Sequence, residues 1–273
     1  MEIKRVCRIC YSATGNTEKV TDRLAKSLSS CLGVPLVSLR FTKPQDREAP
    51  YIFEAGDLVV VGTPTYAGKM PNKLLPDFQS KLIGNGALAV ACVTFGGRSY
   101  DNALAELCAV LKADGFSIIA GGAFVGSHVF SNVLQSGRPN SADEEELQKF
   151  SDQIAVKLKD VTDITAEITV PGNADAPYYV PLGTDGLPAK FLKAKPCTDI
   201  TKCSGCGVCA ESCPMGAIDP LHTAVVNGIC IKCHACVRKC PSRAKYFDDA
   251  AFLSHVAMLE QSFQSEKQNE WYL

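Results

Sequence analysis

Apolar positions in the first 160 residues follow two alternating patterns. Short continuous apolar runs at 6–11, 36–41, 58–62, 88–94 and 118–125 predict five buried strands. Between them the apolar spacing lengthens to that of a helix. Val20, Leu24, Leu28 and Leu32 recur every fourth position, which makes one buried stripe, and Gly33 is placed to end that helix. The last helix of this half opens at Ser141, with Glu144 three residues on as a capping box. It carries Leu147, Phe150, Ile154 and Leu158 on one face. Strands alternating with amphipathic helices predict an α/β domain over 1–160, doubly wound around a five-stranded parallel sheet. Residues 161–196 break the pattern. They are rich in Pro, Gly and Tyr, include Pro177-Tyr178-Tyr179-Val180-Pro181, and predict a linker that is semi-rigid or docked. A small cysteine-rich domain over 197–249 and an acidic, polar helix over 250–273 complete the layout.

The small domain contains one pattern twice: Cys203-x-x-Cys206-x-x-Cys209-x-x-x-Cys213-Pro214, then Cys230-x-x-Cys233-x-x-Cys236-x-x-x-Cys240-Pro241. Each cysteine of the second run lies 27 positions after its counterpart, so the segment is an internal duplication. The spacing is that of bacterial ferredoxins with two [4Fe-4S] clusters, in which three close thiolates wrap one cubane and the cysteine before proline serves the other. The sets therefore cross: Cys203, Cys206, Cys209 and Cys240 for one cluster, and Cys230, Cys233, Cys236 and Cys213 for the second. Ser204, Gly205, Gly207 and Ala210 leave room for an inorganic core and for backbone N–H groups to reach its sulfurs. Zinc sites more often separate two C-x-x-C pairs by a longer loop, and a disulfide framework fits poorly with a chain that shows no secretory signal.

Composition narrows the function. The chain has 273 residues, 46% of them apolar, enough for about two domains with a well-buried core. A net charge of −1 argues against nucleic acid as the main partner. No apolar run reaches spanning length, so no membrane association is expected, and the reducing compartment that iron-sulfur ligands require makes the cytoplasm the expected location.

Directly after the first strand comes Ser12-Ala13-Thr14-Gly15-Asn16-Thr17, leading into the first helix. Hydroxyls, a glycine and consecutive N–H groups at a helix start make a phosphate cradle that contains no Lys or Arg. It lacks both the Gly-Lys-Ser/Thr ending of a Walker loop and a G-x-G-x-x-G. The loop resembles the FMN-phosphate loop of flavodoxins. Two further loops stand where that family places its flavin-contacting segments: Thr63-Pro64-Thr65-Tyr66-Ala67-Gly68, and Thr94-Phe95-Gly96-Gly97-Arg98-Ser99-Tyr100-Asp101. The resemblance implies Ser12 to Thr17, Pro64, Thr65, Tyr66, Ala67, Thr94, Phe95, Gly96, Gly97 and Tyr100 as FMN-binding residues. Tyr66, Phe95 and Tyr100 are the candidate ring walls, with loop packing as the competing role for each.

The whole chain resembles the flavodoxin-ferredoxin fusions of anaerobic bacteria. That resemblance implies electron transfer between two [4Fe-4S] clusters and FMN, with a redox protein or a small molecule as donor and acceptor. Two alternatives stay open: an FMN-dependent reductase of a small substrate, for which the polar stretch 127–140 would shape a pocket, and an iron-sulfur redox sensor. Cys7 and Cys10, three apart in a strand, point to opposite faces and cannot share a metal. Cys31, Cys92 and Cys108 suit buried hydrophobic positions, and Cys197 reads as a spectator. His128, after the fifth strand, reads as a satisfied loop histidine, with a place facing the loop after the fourth strand as the alternative. Lys232, Arg238, Lys239, Arg243 and Lys245 form a basic group around the second cysteine run, to screen cluster charge or dock an acidic partner, with a solvated face as the plain alternative.

Overall fold

The computed structural model describes residues 2–160 and 168–273, so the first part of the expected linker, 161–167, lies outside the described residues. In chain order β1 (Arg5–Cys10) leads to α1 (Asn16–Leu32), β2 (Leu36–Arg40), a 3-10 turn at Pro44–Arg47, β3 (Tyr51–Ile52), β4 (Asp57–Pro64), α2 (Leu75–Lys81) and β5 (Leu82–Ile83). There follow β6 (Leu88–Phe95), α3 (Ala103–Ala113), β7 (Ser117–Val125) and α4 (Ser141–Asp160). The small lobe holds β8 (Cys197–Thr198), α5 (Val208–Glu211), α6 (Ala235–Arg238) and β9 (Lys245–Tyr246), and the chain closes with α7 (Ala250–Ser262) and β10 (Glu270–Tyr272).

The main sheet runs β10-β7-β6-β4-β1-β2. Its five predicted strands are parallel, which is the flavodoxin-like doubly wound arrangement, and β10 adds an antiparallel sixth at the β7 edge. Because β4 and β6 are covered on both faces, their sequences read as unbroken apolar runs. On one face Val20, Leu24 and Leu28 of α1 meet Leu147, Phe150 and Ile154 of α4 over the sheet. Leu24→Ala there would cost about 2–5 kcal/mol. Gly33 ends α1 as the spacing predicts, at φ 67°, with its N–H on the Ser29 carbonyl. The opposite face packs against α2 and α3, and Cys233 and Ala235 of the small lobe join that same core.

Two local expectations shift. The cap of α4 is Asn140 with Asp143, one residue earlier than Ser141 with Glu144. Asn140 Oδ1 accepts from the N–H groups of Ala142 (3.0 Å) and Asp143 (3.2 Å), and Asp143 Oδ2 accepts from the Asn140 N–H at 2.7 Å. Arg138 also pairs with Asp143, which favours the acidic residue at that position. The closing helix stops at Ser262, and Glu270–Tyr272 pairs instead with Ala123 to Gly121 of β7. Asn269 Oδ1 accepts the Val125 N–H at 2.8 Å, and Trp271 Nε1 donates to Gln153 Oε1 at 2.7 Å.

The described linker is pinned to the α/β domain. Tyr179 donates its N–H to the Ala67 carbonyl (2.8 Å), Tyr178 its hydroxyl to the Met70 carbonyl (2.9 Å), and Lys69 Nζ reaches the carbonyls of Ala174 (2.7 Å) and Ala176 (2.9 Å). Among the described residues no helix is long and apolar enough to cross a membrane.

Candidate functional site

At the carboxyl end of the sheet, where strand order reverses around β1, the loops after β1, β4, β6 and β7 surround a cavity of about 230 Å³. The first loop turns from β1 into α1 through Gly15 at φ 103°, a conformation that side chains with a Cβ rarely adopt. Of the first four N–H groups of α1, that of Glu18 is taken by Ser12 Oγ (3.0 Å) and that of Lys19 by the Gly15 carbonyl (2.9 Å). Those of Asn16 and Thr17 are left without an intrahelical partner, and both residues line the cavity. The Ser12 N–H donates to Thr42 Oγ1 (3.0 Å), and Asn16 Nδ2 donates to the Ser127 carbonyl (2.8 Å), which ties the loop to its neighbours.

Ser12, Ala13, Thr14, Asn16, Thr17, Pro64, Thr65, Tyr66, Ala67, Thr94, Phe95 and Gly96 all line this cavity. Three of the sequence candidates do not: Gly15 shapes the turn behind it, Gly97 stands back against Gln135, and Tyr100 packs under Phe95 with its hydroxyl on Glu270 Oε2 at 2.6 Å. The Thr17 hydroxyl faces inward onto Thr94 Oγ1 at 2.7 Å. Among the described residues Thr65 Oγ1 is buried with no hydrogen-bond partner, a polar atom that a ligand in the cavity would satisfy. An uncharged cradle at a helix start, an orphaned hydroxyl and apolar walls fit a flavin mononucleotide.

The roof of this cavity comes from residues outside the three loops predicted to hold the flavin. Tyr179, Pro181 and Phe191 of the linker, Ile231 and Lys232 of the second cysteine run, and His255 and Leu259 of α7 all line the same cavity. Arg98 lies 3.9 Å over the Tyr179 ring, and His255 Nδ1 bonds the Leu182 carbonyl at 2.8 Å. The Pro-Tyr-Tyr-Val-Pro run was the available signal, but nothing local says what it covers. His128 also lines the cavity, packed so close to Gly96 that a Cβ there would come within 2.7 Å of its ring. Its Nδ1 accepts the Phe130 N–H (3.2 Å), and burial, followed by nearby His255 and Arg238, holds it down to about pKa 4.

The eight cysteines of the duplicated runs divide between two small cavities. Cys203, Cys206, Cys209 and Cys240 line one; Cys213, Cys230, Cys233 and Cys236 line the other. The duplication extends to their surroundings, because the Ala217 N–H donates to Cys213 Sγ (3.3 Å) and the Ala244 N–H, 27 residues later, to Cys240 Sγ (3.2 Å). Among the described residues no three His, Cys, Asp or Glu side chains converge as a site for a single metal ion. Burial pushes the Cys233 and Cys236 thiols up to about 12. Two soft-donor sets of four with N–H groups aimed at sulfur fit iron-sulfur cubanes.

The spare cysteines stand outside these cavities. Cys7 and Cys10 are buried on opposite faces of β1, and Cys197 Sγ meets Asp248 at 3.1 Å, outside both cysteine cavities. Three of the five basic residues are engaged within the protein: Lys232 on the Leu192 and Cys230 carbonyls, Arg238 on the loop after β7, and the buried Lys245 on the Thr223 carbonyl. Lys239 and Arg243 are exposed.

A doubly wound α/β domain with a hydroxyl-rich loop at a helix start and a roofed cavity at the carboxyl edge of its sheet, joined to a cysteine lobe, points to a redox protein of the flavoprotein class. The flavodoxin family model matches residues 9–153, over half of the chain, and the chain belongs to that family. A 4Fe-4S binding domain model matches residues 196–219, which hold the first cysteine run. The architecture is thus a flavodoxin-like domain fused to a 4Fe-4S-type domain. Among solved structures, a flavodoxin from the domain Archaea is 17% identical, covering 57% of this chain and 99% of that one at a TM-score of 0.39. A flavodoxin of Streptococcus pneumoniae TIGR4 is 23% identical over 56% and 99%, also at 0.39. Rubredoxin oxygen:oxidoreductase from Desulfovibrio gigas is 20% identical over 58% of this chain and 37% of its own, at 0.35. No curated protein matches the chain.

Proposed function

We propose that the protein relays electrons between two [4Fe-4S] clusters, one in each cysteine cavity, and an FMN in the roofed cavity. The observation that carries this reading is that Ile231 lines both the cavity of Cys213, Cys230, Cys233 and Cys236 and the flavin cavity. The cluster held by those four cysteines is the inner one. The Cys203 to Cys209 loop, with Cys206 exposed, holds the outer one, where a protein donor or acceptor would make contact.

When bound, the clusters handle single electrons and FMN one or two, which converts between the two stoichiometries. The chain's own residues provide the rest. Ser12 to Thr17 hold the phosphate by dipoles and hydrogen bonds, Thr65 offers its free hydroxyl, and Tyr66 and Phe95 wall the ring. The Arg47 guanidinium fixes the two lobes by donating to the carbonyls of Phe41 (3.2 Å), Thr42 (2.6 Å), Lys43 (3.0 Å) and, across the interface, Pro214 (2.8 Å), next to Cys213.

The test is rapid photoreduction of anaerobically prepared protein holding about eight iron per chain, with flavin absorbance as the readout. Flavin reduction at a rate independent of protein concentration is expected. Cys213→Ser should abolish it, whereas Cys240→Ser, at the outer site, should leave photoreduced inner-centre electrons able to reach the flavin. Stoichiometric zinc in place of iron, or a rate proportional to protein concentration, would sink the relay.

A second reading, a reductase of a small molecule, is favoured by one observation: Tyr179, Pro181, Phe191 and Leu259 roof the flavin cavity. A roofed flavin meets small acceptors more readily than a protein surface. Turnover of small electron acceptors that protein acceptors cannot match would support it.

A further inference from the structure

The cysteine lobe builds part of the flavin cavity as well as lying beside it. Ile231 and Lys232, between Cys230 and Cys233, stand in its wall. At the end of α6, Arg238 crosses to the α/β domain and spans the loop after β7. Its Nε donates to the Val129 carbonyl (2.9 Å), Nη1 to Asn132 Oδ1 (2.6 Å), and Nη2 to the carbonyls of His128 (3.0 Å) and Ser131 (2.5 Å). A planar guanidinium presents its donors in a fixed fork, so four acceptors on one loop are held in one geometry; an ammonium cannot do this. The loop so held contributes His128, Val129 and Phe130 to the flavin cavity wall. Phe130 also packs against His234 of the cysteine lobe at 4.8 Å, so the loop is clasped from the same side twice.

The position of Arg238 depends in turn on the cysteines. α6 has four residues, too few for a helix to persist on its own, and it lies between Cys233 and Cys240 with Cys236 inside it. Whatever gathers these thiols orients the helix and, through it, the guanidinium.

We propose that Arg238 is a positioning residue that couples formation of the inner cysteine centre to flavin binding. It rests on the reading of the two cavities as iron-sulfur and FMN sites. With the centre formed, α6 holds Arg238 on the 128–132 loop and FMN binds more tightly. Bound FMN, by the reciprocity of linked equilibria, retains the centre.

The experiment uses the full chain. FMN is removed and titrated back by fluorescence quenching into protein with its clusters loaded and into protein stripped of iron by a chelator. Loaded protein should bind FMN roughly tenfold more tightly, within the usual span of site-to-site coupling. At equilibrium, the chelator concentration needed to strip half of the iron should rise with FMN bound to a similar extent. Arg238→Lys that retains its iron should bring this ratio close to one. Asn132→Ala, which removes an acceptor on the α/β side and leaves the cysteine lobe untouched, should lower it in part. Equal FMN affinity in the two wild-type states overturns the coupling, as does an unchanged ratio in iron-replete Arg238→Lys. Should Arg238→Lys lose iron, an unchanged ratio in Asn132→Ala overturns it and a lowered one supports it. FMN that bound in neither state would instead refute the cofactor assignment.

Discussion

Lys69 is one of the points at which the linker is fastened to the α/β domain, and replacing it tests whether that fastening is a buried ion pair. Its Nζ lies 3.0 Å from Glu106 Oε1, and both side chains are under 10% exposed. The same ammonium donates to the carbonyls of Ala174 and Ala176 and sits 5.4 Å over the Tyr178 ring. At 3.0 Å and an effective dielectric of about 20, the attraction between the charges is on the order of 5 kcal/mol, most of it offset by the desolvation of both groups. Removing one partner is a different matter. Among the described residues, Lys69→Met leaves buried Glu106 with the Met70 N–H (2.7 Å) as its one hydrogen-bond partner and removes the donor to two linker carbonyls, so a loss of about 3–5 kcal/mol is expected. Lys69→Met combined with Glu106→Gln removes the orphaned charge and should recover a large part of that loss, the sign of a coupled pair. The assay is urea unfolding of the four proteins of the cycle, with limited proteolysis near 174–181 as a local readout. Lys69→Met should also expose the linker to cleavage. A single-variant cost below about 1 kcal/mol would mean a solvated pair and refute the buried-latch reasoning.

Three further outcomes follow from the same geometry. Thr14→Ala should weaken FMN by about 10- to 150-fold through one lost hydrogen bond to a charged group, read by fluorescence titration. Riboflavin, lacking the phosphate, should show no such difference. Thr17→Ala should reduce thermal stability as well, because it strands the Thr94 hydroxyl that Thr17 now meets at 2.7 Å. Asp114 caps the C-terminus of α3, where the helix dipole opposes a negative charge, and its Oδ2 is buried with no hydrogen-bond partner among the described residues. Burial raises its pKa to about 6, above the unfolded value, so its protonation favours the folded state and its charge weakens it above pH 6. Asp114→Asn should therefore stabilise the protein at pH 7 by about 1 kcal/mol after solvent screening, and the gain should fade as pH drops from 6 towards 4. A gain independent of pH would rule out the charge as its cause.

Much of the fold was legible because its signals are local. The five strands were readable as apolar runs because parallel strands buried on both faces allow few polar residues. The stripe of Val20, Leu24 and Leu28 announced the buried face of α1. Strand β10 was not legible. Three residues carry no period, and Glu270–Tyr272 is extended because β7 offers an open edge far away in sequence. Tyr100 has an aromatic ring in the expected loop, yet Glu270 and Tyr272 hold its hydroxyl away from the cavity.

The sequence by itself determined the chemistry: which thiols recur at ligand spacing, and which loop presents hydroxyls and N–H groups without a base. Those properties follow from residue type and short-range spacing, which the chain carries before it folds. Only the tertiary structure decided the arrangement among them. It set which cysteine cavity borders the flavin cavity through Ile231, that the linker and α7 roof that cavity, and that Arg238 reaches across to the loop after β7. Each of these depends on packing between residues tens to hundreds of positions apart, where no local pattern specifies the partner. It is the burial of Cys233 and Ala235 in the core they share with the α/β domain that brings them together.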